Sequence, residues 1–236
     1  MPGIETCLSP ALIDRYHLKG KIAVVVDVLR ATSCMTAGIA SGIDHILPFA
    51  DVEECRAARQ QGYLVAGERG GEKIPGFDIG NSPFEYMDPA RKGLKIATTT
   101  TNGTRSIHLS AEADEILIGS FLNLGAVVDL LRSENRDLIV ICAGWRDKIN
   151  LEDSLFAGAV ASSLGGNFQI RDDSTYLCRN SYEPVKNDLE DIISRSEHAQ
   201  RLAGFDLSKD IAFCSKRDKF DVVPAFINGR IVHHGT

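Results

Sequence analysis

Basic runs are missing from this chain, and so is any cysteine pair spaced to hold a metal. No Lys/Arg block occurs, and 26 basic residues stand against 32 acidic ones, a formal net charge of −6. That balance argues against a nucleic-acid partner. It also requires local cations or a metal to draw in an anionic ligand, because the global field repels one. The six cysteines (Cys7, Cys34, Cys55, Cys142, Cys178 and Cys214) are scattered, with no C-x-x-C pair and no His cluster at zinc spacing. No Cys is followed six positions later by Arg, which excludes the phosphate loop of cysteine phosphatases. G-x-G-x-x-G and Walker A motifs are absent as well. The longest apolar runs are strand-sized, far short of a membrane span. Asp14, Arg15, His17 and Lys19 interrupt the first twenty residues, so no secretory signal is expected there. A reducing cytoplasm and no membrane contact are the expectation.

What is present is an alternation of short buried runs and helical stretches. A chain of 236 residues buries roughly 70–75% of its unfolded surface, enough for a core without staples. One α/β domain over residues 1–236 is expected, its largely parallel or mixed sheet covered by helices. Ile22 to Leu29 is a β-branched run with one charge, the pattern of a central strand covered on both faces. Further strands are expected at 45–49, 63–67, 94–101, 115–119, 138–143, 211–214 and 222–227, with the C-terminal ones free to pair antiparallel. Helices are expected at 31–41, 51–61, 103–111, 122–133, 151–164 and 184–203. The Gly- and Pro-rich segment 68–93 holds Ile74, Phe77, Ile79, Phe84 and Tyr86, which argues for an ordered loop.

Four polar clusters fall at the ends of these strands, where open α/β sheets place their ligands. In the first, Asp27 can ligate Mg²⁺ or attack phosphorus, and Arg30 can hold an anion bidentately. Thr32 and Ser33 stand at a helix start, where they could equally be caps, with Asp27 and Arg30 a local ion pair. Leu29 occupies the place of the second Asp of the haloacid-dehalogenase motif, which excludes that family. The second cluster, Gly67 to Gly71, sets Glu68 beside Arg69, a metal-type carboxylate beside an anion-type guanidinium. Gly76 to Pro83, including Asp78 and Asn81, reads as a turn or as part of a lid. In the third, Thr98 to Thr101 leave a strand and run into Asn102, Gly103 and Thr104, a ring of hydroxyls and amides suited to oxyanions. In the fourth, Asn150 and Asp153 are spaced like a capping box, while Glu152 is left over as a candidate metal ligand. His108 and His198 read as surface or helix-face residues.

Taken together, DVLRATS, AGERGG, GFDIGNSP, TTTNGT, GSFLN, CAG, EDSLFAG, SEHAQRLAG and a closing VVP, in that order, resemble the 2-phosphosulfolactate phosphatase (ComB) family. The resemblance covers most of the chain. It implies an α/β fold and Mg²⁺-dependent hydrolysis of the phosphate ester of phosphosulfolactate, a step toward coenzyme M. It places Asp27, Arg30, Glu68, Arg69, Asp78, Asn81, Thr99, Thr100, Asn102, Gly103, Thr104, Glu152 and Asp153 on motif positions. On this reading Asp27, Glu68 and Glu152 hold Mg²⁺. Arg30 and Arg69 clamp acidic groups, Asp27 and Arg30 are catalytic, and Asn81 with Thr99, Thr100, Asn102, Gly103 and Thr104 binds the substrate. The expected partner is a small anionic phosphorylated molecule, and a homodimer is allowed. Gly144-Trp145-Arg146-Asp147 departs from the small turn expected of the family and bears on substrate fit. Two alternatives stay open: a relative acting on another phosphorylated hydroxy acid, and a non-catalytic module that binds a phosphometabolite.

Overall fold

The computed structural model describes residues 1–205 and 207–235. Its strands in chain order are β1 (Gly3–Cys7), β2 (Ile22–Val26), β3 (His45–Pro48), β4 (Leu64–Arg69), β5 (Glu72–Lys73), β6 (Lys95–Thr99), β7 (Glu115–Gly119), β8 (Leu138–Cys142), β9 (Gln169–Ile170), β10 (Pro224–Ile227) and β11 (Arg230–His233). The helices are α1 (Ala31–Ala40), α2 (Val52–Ala57), α3 (Pro83–Tyr86), α4 (Gly103–Leu109), α5 (Leu124–Arg132), α6 (Leu151–Leu164), α7 (Asp173–Tyr182), α8 (Leu189–Ser194), α9 (Glu197–Ala203) and α10 (Ser208–Cys214).

All the strands join one mixed sheet in the order β5-β4-β6-β3-β11-β10-β7-β2-β8-β1-β9. Two parallel blocks, β4-β6-β3 and β7-β2-β8-β1-β9, are bridged by the antiparallel hairpin β10–β11. Its turn is Asn228 and Gly229, both at positive φ (50° and 81°), the two-residue turn whose twist matches that of the flanking strands.

β2 shows why an unbroken apolar run is needed. Ile22, Val24 and Val26 pack into one core, while Ala23 and Val25 pack into the other. The first core lies under α5 to α10, and the second gathers residues of β2, β3, β4, β6, β7, β8 and β11 around α1. A flat sheet could not make that second core. β4 and β2 stand six strand spacings apart, roughly 29 Å if the sheet were flat. Yet Glu68 of β4 and Asp27, which follows β2, line the same small cavity. The sheet therefore curls around α1, whose residues Ala31 to Ile39 are all buried.

Several elements differ from the sequence expectation. Ile211 to Cys214 is the end of helix α10, not a strand; four apolar residues in a row do not separate a strand from a buried helix. The stretch 184–203 is two short helices, interrupted where the Ser196 side chain accepts from Ala199 N to cap α9. β1, α7 and β11 were not foreseen, although Asn228-Gly229 is a hairpin signal that points to β11. Segment 68–93 is ordered and carries β5 and α3. No helix among the described residues is long and apolar enough to cross a membrane.

The α6–α7 contact depends on Gly158, where an added Cβ would lie 2.2 Å from the Cys178 carbonyl oxygen. Helix propensity alone favours alanine there by ~1 kcal/mol. Overpacking against backbone should reverse that sign, so Gly158→Ala is expected to destabilise by about 1–3 kcal/mol in urea unfolding. A stabilised variant would show the two helices to be separable.

Candidate active site

β2 ends at Val26, and the chain turns through Asp27 to Arg30 before α1 begins. Thr32 and Ser33 do not cap the helix. The Thr32 hydroxyl accepts from Asp27 N and bonds Asp27 O, both at 2.9 Å, and Ser33 Oγ donates to Val28 O at 2.8 Å. These bonds fix the turn and hold Asp27 at the cavity. Its Oδ1 accepts only a long bond from Ala31 N at 3.3 Å. Burial pushes the Asp27 carboxyl up to about 6, with His198 pulling it down and Glu68 and Glu152 adding to the rise.

Arg30 forms no ion pair with Asp27. Its Nη1 donates to Asp210 Oδ2 at 2.7 Å and its Nη2 to Gly71 O at 3.1 Å, all buried. Asp210 also accepts from Ser82 Oγ at 2.9 Å. The guanidinium still lines the cavity, but its orientation is set by an acid 180 residues away.

Glu68 takes one backbone N–H on each oxygen, from Gly71 and from Thr101, each at 2.7 Å. Arg69 turns away from the cavity and donates to Thr99 Oγ1 at 2.8 Å and to its neighbour's carbonyl. Thr100 and Thr104 satisfy one another: Thr104 N donates to Thr100 Oγ1 and Thr100 N to Thr104 Oγ1. Of the Thr99–Thr104 segment only Asn102 faces the cavity. Gly103 has a steric role, since a Cβ there would lie 2.4 Å from Ala31 Cβ and 2.8 Å from Asp27 Oδ2. Asn81 also lines the cavity, with its Oδ1 buried and unpartnered. Asp78 is structural, accepting from Val65 N and Arg59.

The Asn150–Asp153 capping box does not form. Asp153 instead accepts from Val28 N and Gly144 N, at 2.9 and 3.0 Å, and so ties the Asp27 turn and the Gly144 turn to α6. Burial raises its carboxyl well above the usual range, and Asp27 and Glu152 raise it further. Glu152 is fully buried, its Oε1 2.8 Å from His198 Nδ1 and its Oε2 unpartnered. The Asn150 amide lies 3.1 Å from the same ring nitrogen. His198 is thus a buried cavity residue and not a helix-face one. Trp145 stacks on it at 5.3 Å and 21°. Sequence reading missed His198, Arg201 and Asp210 as site residues, and it marked Trp145 only as part of a turn that bears on substrate fit. The SEHAQRLAG segment was the available signal for two of them, but its charges resemble a solvated helix face.

Two cavities meet at this wall. The inner one, at Asp27, measures about 20 Å³, room for about one water. The outer one, of about 380 Å³, shares Trp145, His198 and Arg201 with it, and is of the size that takes a small ligand. Among the described residues, no three His, Cys, Asp or Glu side chains are gathered to hold a metal ion by themselves. The acids are nonetheless right in kind for a hard cation, since they offer only oxygen, and Glu152 Oε2 is a buried acceptor in need of a partner. Mg²⁺ commonly binds one or two carboxylates and completes its shell with water and substrate oxygens, which this arrangement fits.

The family model described as 2-phosphosulpholactate phosphatase matches residues 7–229. A Thermotoga petrophila protein named "Probable 2-phosphosulfolactate phosphatase" is 41% identical over 209 residues, 89% of this chain and 90% of that protein. A Caldanaerobacter subterraneus subsp. tengcongensis protein of the same name is 39% identical over 222 residues, 92% of each chain. A third, from Pseudothermotoga lettingae, is 35% identical over 229 residues, 97% of this chain and 98% of that one. The family model spans every element that builds the cavity, and the chain belongs to the 2-phosphosulpholactate phosphatase family.

Proposed function

We propose that this protein hydrolyses the phosphate monoester of 2-phospho-3-sulfolactate to sulfolactate and phosphate, with Mg²⁺ as its metal. Family membership makes it a phosphoric monoester hydrolase. The finer reading is carried by one observation: a buried Asp27, raised to about 6, facing a cavity shared with Glu68, Arg30 and His198. The six free, buried cysteines support a reducing cytoplasm as its location. Its product would serve a route toward coenzyme M.

Asp27 and Glu68 would hold the cation, with Glu152 set behind them. The metal would offset phosphate charge and polarise the ester. Arg30, held by Asp210 and by Gly71 O, would offer its remaining N–H donors to a phosphate oxygen. Leu29 lines the cavity where an aspartyl-phosphate motif would carry its second acid, so Asp27 is read as an ion-holding group and not as the nucleophile. Glu152 anchors His198 at Nδ1 and leaves Nε2 to give a proton to the leaving oxygen.

Phosphate release should stop in EDTA and return with Mg²⁺; full turnover by metal-free enzyme would remove the metal from the mechanism. His198→Gln should slow the sulfolactate ester by roughly 10²–10⁴-fold. It should cost little with p-nitrophenyl phosphate, whose leaving group needs no proton. Equal losses on both esters would assign His198 another role.

Asp27 carries opposite predictions for activity and stability. Its folded value lies above the unfolded value near 4, so its contribution to stability is greatest below pH ~4 and is lost as pH rises through about 6. Asp27→Asn should therefore be nearly inactive, yet more stable in EDTA at pH 7 by about 1–3 kcal/mol. That gain should vanish near pH 4. Mass spectrometry of acid-quenched wild-type turnover should find no phosphate on Asp27; a phosphoaspartate there would make it the nucleophile.

A further inference from the structure

The Gly144 turn and α9 place an unpaired guanidinium where the two cavities join, and the proposed reaction does not use it. Arg201 lies over the Trp145 ring at 3.9 Å, and Arg146 lies over the same ring at 5.1 Å. Arg201 Nη1 donates to Gly70 O at 2.7 Å, while its Nε is buried without a partner. No carboxylate pairs with Arg201 among the described residues, in contrast to Arg30, which Asp210 neutralises. A buried cationic N–H without an acceptor is costly, and a bound acid group removes that cost. Stacking occupies the face of the guanidinium and Gly70 O takes Nη1, which leaves the Nη2 side of its edge to meet an oxyanion.

The turn beneath it is built to stay in place. Trp145 and Lys148 exchange two backbone hydrogen bonds at 3.0 Å, and Asp147 pairs with Arg105 at 2.7 Å. Asp153 holds Gly144 N, and Ser9 Oγ donates to Asp147 O. Arg146 and Asp147 take positive φ values (49° and 62°), which non-glycine residues seldom adopt without support of this kind.

Resting on the phosphatase reading above, we propose that Arg201, seated on Trp145, binds the sulfonate of the substrate and thereby sets its selectivity. The carboxylate carbon of 2-phospho-3-sulfolactate is bonded directly to the carbon bearing the phosphate. The sulfonate stands one methylene further out. With one phosphate oxygen reaching into the inner cavity at Asp27 and Arg30, the sulfonate is the group that reaches the outer cavity.

Three esters separate the assignments: 2-phospho-3-sulfolactate, 2-phospholactate, which lacks the sulfonate, and 2-phosphooxyethanesulfonate, which lacks the carboxylate. In Arg201→Met, the ratio of kcat/KM for either sulfonate ester to that for 2-phospholactate should fall roughly 10- to 100-fold, mainly through KM. Arg201→Lys should recover only part of it, because the fork is lost. Trp145→Leu, which leaves the cation in place, should shift the ratio in the same direction. An unchanged ratio overturns the proposal, as does a loss confined to the carboxylate-bearing esters. Calorimetric binding of 3-sulfolactate in EDTA keeps this test apart from the phosphatase reading. If wild type turns over no ester, that reading fails, while weaker sulfolactate binding by Arg201→Met still supports the sulfonate site and equal binding overturns it.

Discussion

Everything at the site depends on the sheet closing around a helix with almost no bulk. α1 reads ATSCMTAGIA, and its largest side chains are one Met and one Ile. Small residues allow backbone to approach backbone, so strands on opposite sides of the curl come within reach of each other. Gly103 carries the same logic to the cavity, because only hydrogen fits between α4, Ala31 and the Asp27 carboxylate. Larger side chains along α1 would hold the strands apart. The acid after β2 and the acid ending β4 would then sit on separate surfaces.

Closure of this kind buries charge, and the structure distributes the cost unevenly. Asp210 has Arg30 and Ser82, and Glu68 and Asp153 each accept two backbone N–H bonds. Glu152 has His198 on one oxygen and nothing on the other, and Asp27 has one long bond. The acids that hold the turns are satisfied, and Asp27 and Glu152 are not. Buried charge left short of partners destabilises a protein unless something binds it. Here the shortfall is concentrated where a cation and a phosphate would meet, the pattern expected when local stability is given up for function.

Much of this was legible in local sequence. The Ile22–Val26 run shows a strand covered on both faces, and 115–119 and 151–164 match β7 and α6 residue for residue. Asp27, Glu68 and Asn102 line the cavity as their positions at strand ends suggest, and Asn81 joins them from the 76–83 turn. What local pattern cannot supply is the identity of distant partners. Arg30 read either as an anion clamp or as the ion-pair partner of Asp27 three residues away, whereas its partner lies in α10, a segment whose apolar run reads as strand. The threonines looked like an oxyanion ring, but Thr100 and Thr104 use their hydroxyls to start α4. Arg69 was a reasonable clamp by composition, yet the antiparallel β4–β5 turn points it at Thr99.

The two halves of the site differ in legibility for a physical reason. The half that would carry out the reaction lies at strand ends, where a charge following a buried apolar run is conspicuous. The half that would select the substrate lies on α9 and the Gly144 turn. There a Trp and an Arg are each partly exposed, and periodicity assigns the same polarity to a residue facing a cleft as to one facing bulk water. Only the stack of His198, Trp145 and Arg201 separates these cases, and it joins residues up to 56 positions apart. On the sulfonate assignment, substrate preference would change through α9 and this turn while the acids around α1 stay as they are.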